Sequence, residues 1–262
     1  MSPKDPVEFS GRGDPQTSMA LLWGESVGTR RGPKRRMTVN DVTRAALELA
    51  DAEGLDALSM RHLADALGVT PMTLYTYVPG KAELLDLMVD AALGEGTAGG
   101  EAHGDMRARL EAIARQNQDT YRRHPWLLQI SPTRPVLGPH GLAKYERELC
   151  ALDGLGLSDL DMDAVLTLVN GYVHGAMRSA YEAAEAVRRT GMSDAEWWEA
   201  YAPHLAAAVD PARFPLASRV GTAAGQAHGG PFSADHAFEF GLQRVLDGIA
   251  HFVASRPAPP AD

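Results

Sequence analysis

Apolar residues recur at spacings of three and four along nearly the whole chain, and no segment sustains the alternation, rich in β-branched residues, that a half-buried strand needs. This periodicity predicts an all-α fold. In TVNDVTRAALELADAEG, Val39, Val42, Ala46 and Leu49 share one face, Thr38 is a candidate N-cap with Asp41 at the third helical position, and Gly54 is the stop. Ser59 caps a second, shorter helix that turns Met60, Leu63, Ala64 and Leu67 inward and closes at Gly68. Thr70 caps a third whose first residue is Pro71, where a missing amide hydrogen costs nothing. It makes two turns, PMTLYTY, before Pro79-Gly80, and Lys81 opens a fourth helix.

A break from Gly94 to Gly104 marks the expected boundary between a domain over residues 30–94 and one over 105–255. Helices are expected over about 105–123, 125–130, 139–152 and 160–188, the last apolar most of the way round and so buried on two sides. Ser193 and Glu196 form a capping box for a helix to about Val209. The Gly-, Ala- and Pro-rich stretch 210–232 reads as a mobile loop, and a last helix runs over about 233–254. Residues 1–29, rich in Gly, Pro, Ser and Asp, and the tail RPAPPAD over 256–262 read as disordered extensions.

With 45% apolar and 23% charged residues the chain has the balance of a soluble globular protein. It contains no apolar run of 18 residues and no basic-then-apolar leader, so a cytoplasmic protein without membrane contact is expected. A net charge of −9 taken alone argues against nucleic acid. The distribution reverses that argument, because Arg30, Arg31, Lys34, Arg35 and Arg36 form a basic block just before the first convincing helix. The single cysteine, Cys150, permits no intrachain disulfide and reads as a packed structural thiol. Nine scattered histidines without paired ligand spacing suggest no metal site. Without G-x-S-x-G, a phosphate-binding glycine loop or a helical Cys-His motif, no catalytic residue, cofactor or enzymatic activity is expected.

Two short helices joined by a glycine turn and braced by a longer one form the arrangement that lets a helix enter the major groove. Residues 59–78 have that form. Leu74 and Val78, one turn apart, should face the preceding helices and leave Met72, Thr73, Tyr75, Thr76 and Tyr77 toward solvent or DNA. Hydroxyls there can bond phosphates or base edges; the competing reading is a short turn helix with surface tyrosines. The stretch ALSMRHLADALGVTPMTLYTYVPGKAELLDLM resembles the DNA-binding domain of the TetR family over about residues 37–93. Its T-L-Y-x-Y-V-x-x-K run implies phosphate anchoring by Thr73, Tyr75 and Lys81, the last at a helix N-terminus that itself favours a phosphate. The departure is Pro71-Met72 where some relatives carry Gln or Arg, so base reading must lean on Thr73, Thr76, Tyr77, Arg61 or the basic arm. The arm is either a minor-groove clamp or a solvated tail. The candidate DNA-binding set is Arg35, Arg36, Arg61, Thr70, Met72, Thr73, Tyr75, Thr76, Tyr77 and Lys81.

From Asp105 onward the chain is similar to the C-terminal domain of the same family, most clearly in FEFGLQRVLDGI from Phe238. That similarity implies a helical ligand-binding and dimerisation domain in which the long and last helices of two subunits form a four-helix bundle, with Phe238, Leu242, Val245, Ile249 and Phe252 at the interface of a homodimer. It also implies a cavity for a small-molecule inducer. Candidate lining residues are Gln116, Asn117, Thr120, Tyr121, Trp126, Asn170, Tyr172, His174, Met177 and Trp197, each with a core or surface role as the competing reading. The function implied is a ligand-responsive repressor that leaves double-stranded operator DNA when the inducer binds. The alternative is an all-helical protein-interaction module that has lost DNA binding.

Overall fold

The helix boundaries are set largely by capping side chains. The computed structural model describes residues 8–24, 37–95, 104–131, 134–230 and 232–256. Strand β1 (Glu8–Phe9) and helix α1 (Pro15–Leu22) precede α2 (Val39–Glu53), α3 (Met60–Ala66), α4 (Pro71–Tyr75) and α5 (Lys81–Glu95). Helix α6 (Met106–Arg123), a 3₁₀ turn (Pro125–Gln129), strand β2 (Ile130–Ser131) and α7 (Pro139–Leu149) follow. The chain then continues through α8 (Asp159–Thr190), α9 (Asp194–Ala208), α10 (Pro215–His228) and α11 (Ala234–Ala254). The fold is all-α; its two-residue strands make one parallel pair, Glu8 with Ile130 and Phe9 with Ser131.

Both halves of the capping box form at Thr38/Asp41 and at Ser193/Glu196, as the sequence predicts. Ser59 and Thr70 accept from the third backbone N–H of α3 and α4 in the same way. Two apolar cores result. One joins α2, α3, α4 and α5 around Val42, Leu63, Leu74, Leu84 and Met88, and takes in Trp126 and Leu127 from the turn after α6 and Ile130 from β2. The other joins α6, α8 and α11 around Leu110, Val169, Val173, Leu242 and Leu246.

Three expectations need correction. Residues 8–24 lie inside the segment read as disordered, yet they form β1 and α1: Asp14 caps α1, Pro15 opens it, and Leu21 and Leu22 pack on the first core. Composition alone hid this, because the segment's backbone donors are satisfied by carboxylates about 70 residues away on α5. The stretch 210–232 contains helix α10, opened by Pro215 and ended by Gly229 in the left-handed region; its alanines outweigh its glycines as helix formers. Cys150 is exposed, because it caps the end of α7 instead of packing.

Candidate functional site: reading helix and cavity

Helix α4 is five residues long and is held by what lies beneath it. Leu74 and Val78 are fully buried in the first core, and Gly68, at φ +65°, makes the turn that sets α4 across α3. Met72 is 75% exposed and Tyr75 45% exposed, and Thr70, Thr73, Thr76 and Arg61 are exposed with them. The Thr70 and Thr73 hydroxyls lie 2.9 Å apart, and the Thr76 hydroxyl donates to the Thr73 carbonyl at 2.7 Å. Their oxygens therefore keep acceptor capacity while their rotamers are fixed. Tyr77 differs from its expected exposure: it is half-buried and packs on the first core, which takes its ring off the reading face. Lys81 is half-buried at the start of α5. Arg35 and Arg36 lie outside the described residues.

Residues 37–95 contain only Arg44, Arg61 and Lys81 as cations, against ten carboxylates. Arg44 is engaged by Asp41 at 2.9 Å. The five cations of residues 30–36 precede this unit in the sequence.

Between α5, α6, α7 and α8 lies a cavity of about 600 Å³, a volume within the usual range for small-molecule sites. Of the residues expected there, Asn117, Thr120, Tyr121, Asn170 and His174 line it. The others do not. Trp126 is 1% exposed and donates its indole N–H to Asp51 at 2.8 Å. Tyr172 donates to backbone carbonyls of α11, and Met177 packs on the second core. Trp197 stacks on Tyr201 in exposed α9, and Gln116 is half-buried on α6 outside the lining.

Sequence reasoning missed the α7 wall, because helical spacing gave no sign of what it faces. Buried Glu148 accepts from Asn170 at 3.1 Å and pairs with Lys144, while Asn117 donates to Asn170 at 2.6 Å. This linked group supplies polar atoms on one wall and is charge-balanced. Val89, Leu93, Leu127, Val136, Leu142 and Leu166 supply apolar wall. Burial, then the Glu148 charge, pushes the Tyr121 hydroxyl up to about 12, so it remains a hydrogen-bond donor at neutral pH. His174 packs edge-on to Tyr121; burial and then Arg178 lower its pKa, and its Nε2 is buried without a hydrogen-bond partner.

The expected interface stripe also divides. Phe238, Leu242 and Ile249 are buried within the chain's own second core, so they cannot form a surface for a partner; Val245 is half-buried and Phe252 exposed. The apolar residues that do face outward on α8 and α11 are Leu160, Leu168, Phe240 and Phe252, with Leu160 83% exposed. Periodicity identifies one stripe per helix but not which partner covers it, and α6 and α8 of the same chain cover this one.

A family model described as the TetR-family bacterial regulatory proteins matches residues 42–88, and one for the tetracycline-repressor-like C-terminal domain matches 98–253. The HTH-type transcriptional repressor DrrR1 of Streptomyces coeruleorubidus is 44% identical over 259 residues, 95% of this chain and 91% of that protein. The class A tetracycline repressor of transposon 1721 from Escherichia coli is 30% identical over 82% of this chain and 91% of its own length. Among solved structures, apo ActR of Streptomyces coelicolor superposes with a TM-score of 0.68 at 26% identity, covering 85% of this chain and 99% of that one. ActR in complex with actinorhodin gives 0.67 at 26% identity, covering 83% and 97%. The chain is a member of the TetR family of DNA-binding transcriptional regulators.

Proposed function

We propose that the protein is a dimeric repressor that reads operator DNA with α4 and is released when a small molecule occupies the cavity between α5 and α8. The observation that carries this reading is one helix with two duties. Helix α5 follows α4 directly, is packed into the DNA-reading core through Leu84 and Met88, and contributes Val89 and Leu93 to the cavity wall. A ligand that prefers one position of α5 thereby prefers one position of α4, and a coupling of about 1–3 kcal/mol changes operator affinity five- to 150-fold.

Thr73, Tyr75 and Lys81 contact phosphate, while Thr76, Arg61 and the arm of residues 30–36 supply base or groove recognition. Met72 offers its side chain to thymine methyl groups. The outward apolar surface of α8 and α11, with Leu160, Leu168, Phe240 and Phe252, is covered by a second subunit. Two reading helices about 34–36 Å apart then meet successive major grooves. No helix among the described residues is long and apolar enough to cross a membrane, and the protein works with its DNA in the cytoplasm. ActR has been solved with actinorhodin bound, which makes that compound the first effector to test. A protein-interaction module without DNA binding is not favoured, since the relatives are repressors and the matched segment includes the whole reading element.

The test is a gel-shift titration of wild type and Tyr75→Ala on DNA selected from random sequence by the wild-type protein, at two salt concentrations and with excess nonspecific competitor. A competitor-resistant, salt-sensitive shift that is lost in Tyr75→Ala is expected. Failure of the wild type to select any sequence would refute the reading.

A further inference from the structure

Helix α5 buries three carboxylates on one stripe, Glu83, Asp86 and Asp90, at the i, i+3 and i+7 positions that share a helix face. Buried charges are costly unless hydrogen-bonded, so what they bond shows what they are kept for. Asp90 accepts from the backbone N–H of Gly141 at 2.8 Å, at the first turn of α7. There it supplies the acceptor that Gly138, the N-cap without a side chain, cannot. Asp86 accepts from the Gly11 N–H at 2.8 Å and the Ser18 hydroxyl at 2.9 Å, and Glu83 accepts from the Asp14 N–H at 3.2 Å.

Glycines make these approaches possible. A Cβ at Gly138 would collide with the Asp90 carboxylate, and one at Gly13 with that of Glu83. Both partners of the stripe belong to the cavity. Helix α7 lines it with Leu142, Lys144, Tyr145 and Glu148. The N-terminal segment lines it with Ser10, whose hydroxyl donates to the Arg134 carbonyl at 2.6 Å, and Trp23 donates to the carbonyl of rim residue Leu137 at 3.0 Å.

We infer that Glu83, Asp86 and Asp90 are positioning residues for operator reading: they hold the helix that follows α4 to two walls of the effector cavity, so those walls set where α4 stands. This rests on the proposed function and names the linkage inside it. Directional bonds to single backbone amides fix α5 at one axial position against α7, which a purely apolar face would not do.

The linkage is tested without an effector by perturbing the cavity side and reading the DNA side, in the full chain and on a duplex that the wild type selects. Gly138→Ala, beside the lining residue Leu137, drives a methyl group into the Asp90 carboxylate, and Asp90→Asn keeps the side-chain shape while weakening the acceptor. Each should lower operator affinity about tenfold, within the usual span of site-to-site coupling, while nonspecific DNA binding at low salt stays at the wild-type level. Gly138→Ala/Asp90→Ala should be no weaker than Asp90→Ala alone, because the collision is gone.

Amide hydrogen exchange reports the bond itself, and protection at Gly141 should drop in Asp90→Asn. Lost protection with unchanged operator affinity would reduce the stripe to local structure and overturn the inference. So would strictly additive losses in the double variant. If Gly138→Ala does not fold, Asp86→Asn, which perturbs the N-terminal wall, takes its place with the same expected tenfold loss. A wild type that selects no operator refutes the functional reading and the inference with it.

Discussion

Asp51 should be worth far more than a surface carboxylate, because of the two donors beneath it. Its Oδ1 accepts from Trp126 Nε1 at 2.8 Å, and its two oxygens lie 2.9 and 3.0 Å from His124 Nδ1. Trp126 and His124 are 1% and 2% exposed, and His124 Nε2 reaches Glu95 at 3.1 Å. Asp51→Ala strands the indole N–H outright and removes one of the two acceptors of His124. Each stranded buried donor costs about 1–3 kcal/mol, giving roughly 2–6 kcal/mol. The Asp51 side chain is itself 31% exposed, so water entering the vacated space offsets part of this. An expected loss of about 2–4 kcal/mol remains, a large share of a typical stability of about 5–15 kcal/mol.

Urea unfolding followed by far-UV circular dichroism at fixed protein concentration measures the loss. Trp126→Phe in the Asp51→Ala background isolates the pair, since the stranded donor is then gone and the second substitution should cost about 1–2 kcal/mol less than it does alone. Additivity within about 0.5 kcal/mol, or a loss below about 1 kcal/mol for Asp51→Ala, would refute the argument that this junction is dry and donor-limited.

Replacing Arg30, Arg31, Lys34, Arg35 and Arg36 by Gln should flatten the salt dependence of operator binding by about 0.9 in log–log slope for each phosphate no longer neutralised; an unchanged slope would make the arm a solvated tail. Under the proposed dimer, Leu168→Glu places a charge on the outward face of α8 and should sediment as a monomer where the wild type sediments as a dimer, with the helical circular dichroism retained; a wild type that is itself monomeric would refute the proposed interface. The lowered pKa of His174 means the folded state takes up its proton later than the unfolded chain does. Stability is therefore lost as pH falls below about 6.5, and His174→Asn should reduce the slope of unfolding free energy between pH 7 and pH 5.5.

The DNA-reading unit is legible in the sequence because its signals are local: Thr38, Ser59 and Thr70 cap within three residues, Gly68 is the turn, and Leu74 and Val78 declare a buried side one turn apart. The cavity is half legible. Asn117, Thr120 and Tyr121 follow from the polarity of α6, but Lys144, Glu148 and Arg134 come to the same space through packing between elements that periodicity does not encode. Trp126 fails for the same reason. Its size and position suggest a ligand wall, but an acceptor 75 residues earlier claims it for the junction with α2. Segment 8–24 is least legible, since its donors are answered by α5 and its strand by Ile130 and Ser131.

Helix α4 is anchored by buried Leu74, with buried Val78 just past its end, and the outward side chains at 72, 73, 75 and 76 pack on no core. Selection can therefore exchange those side chains almost without regard to folding, and one scaffold can be retargeted to a new operator by a few substitutions. The same economy has a cost: with so few side chains presented, one copy of the helix can read only a short word of sequence, and in the proposed dimer discrimination among sites in a genome would come from the spacing of two half-sites.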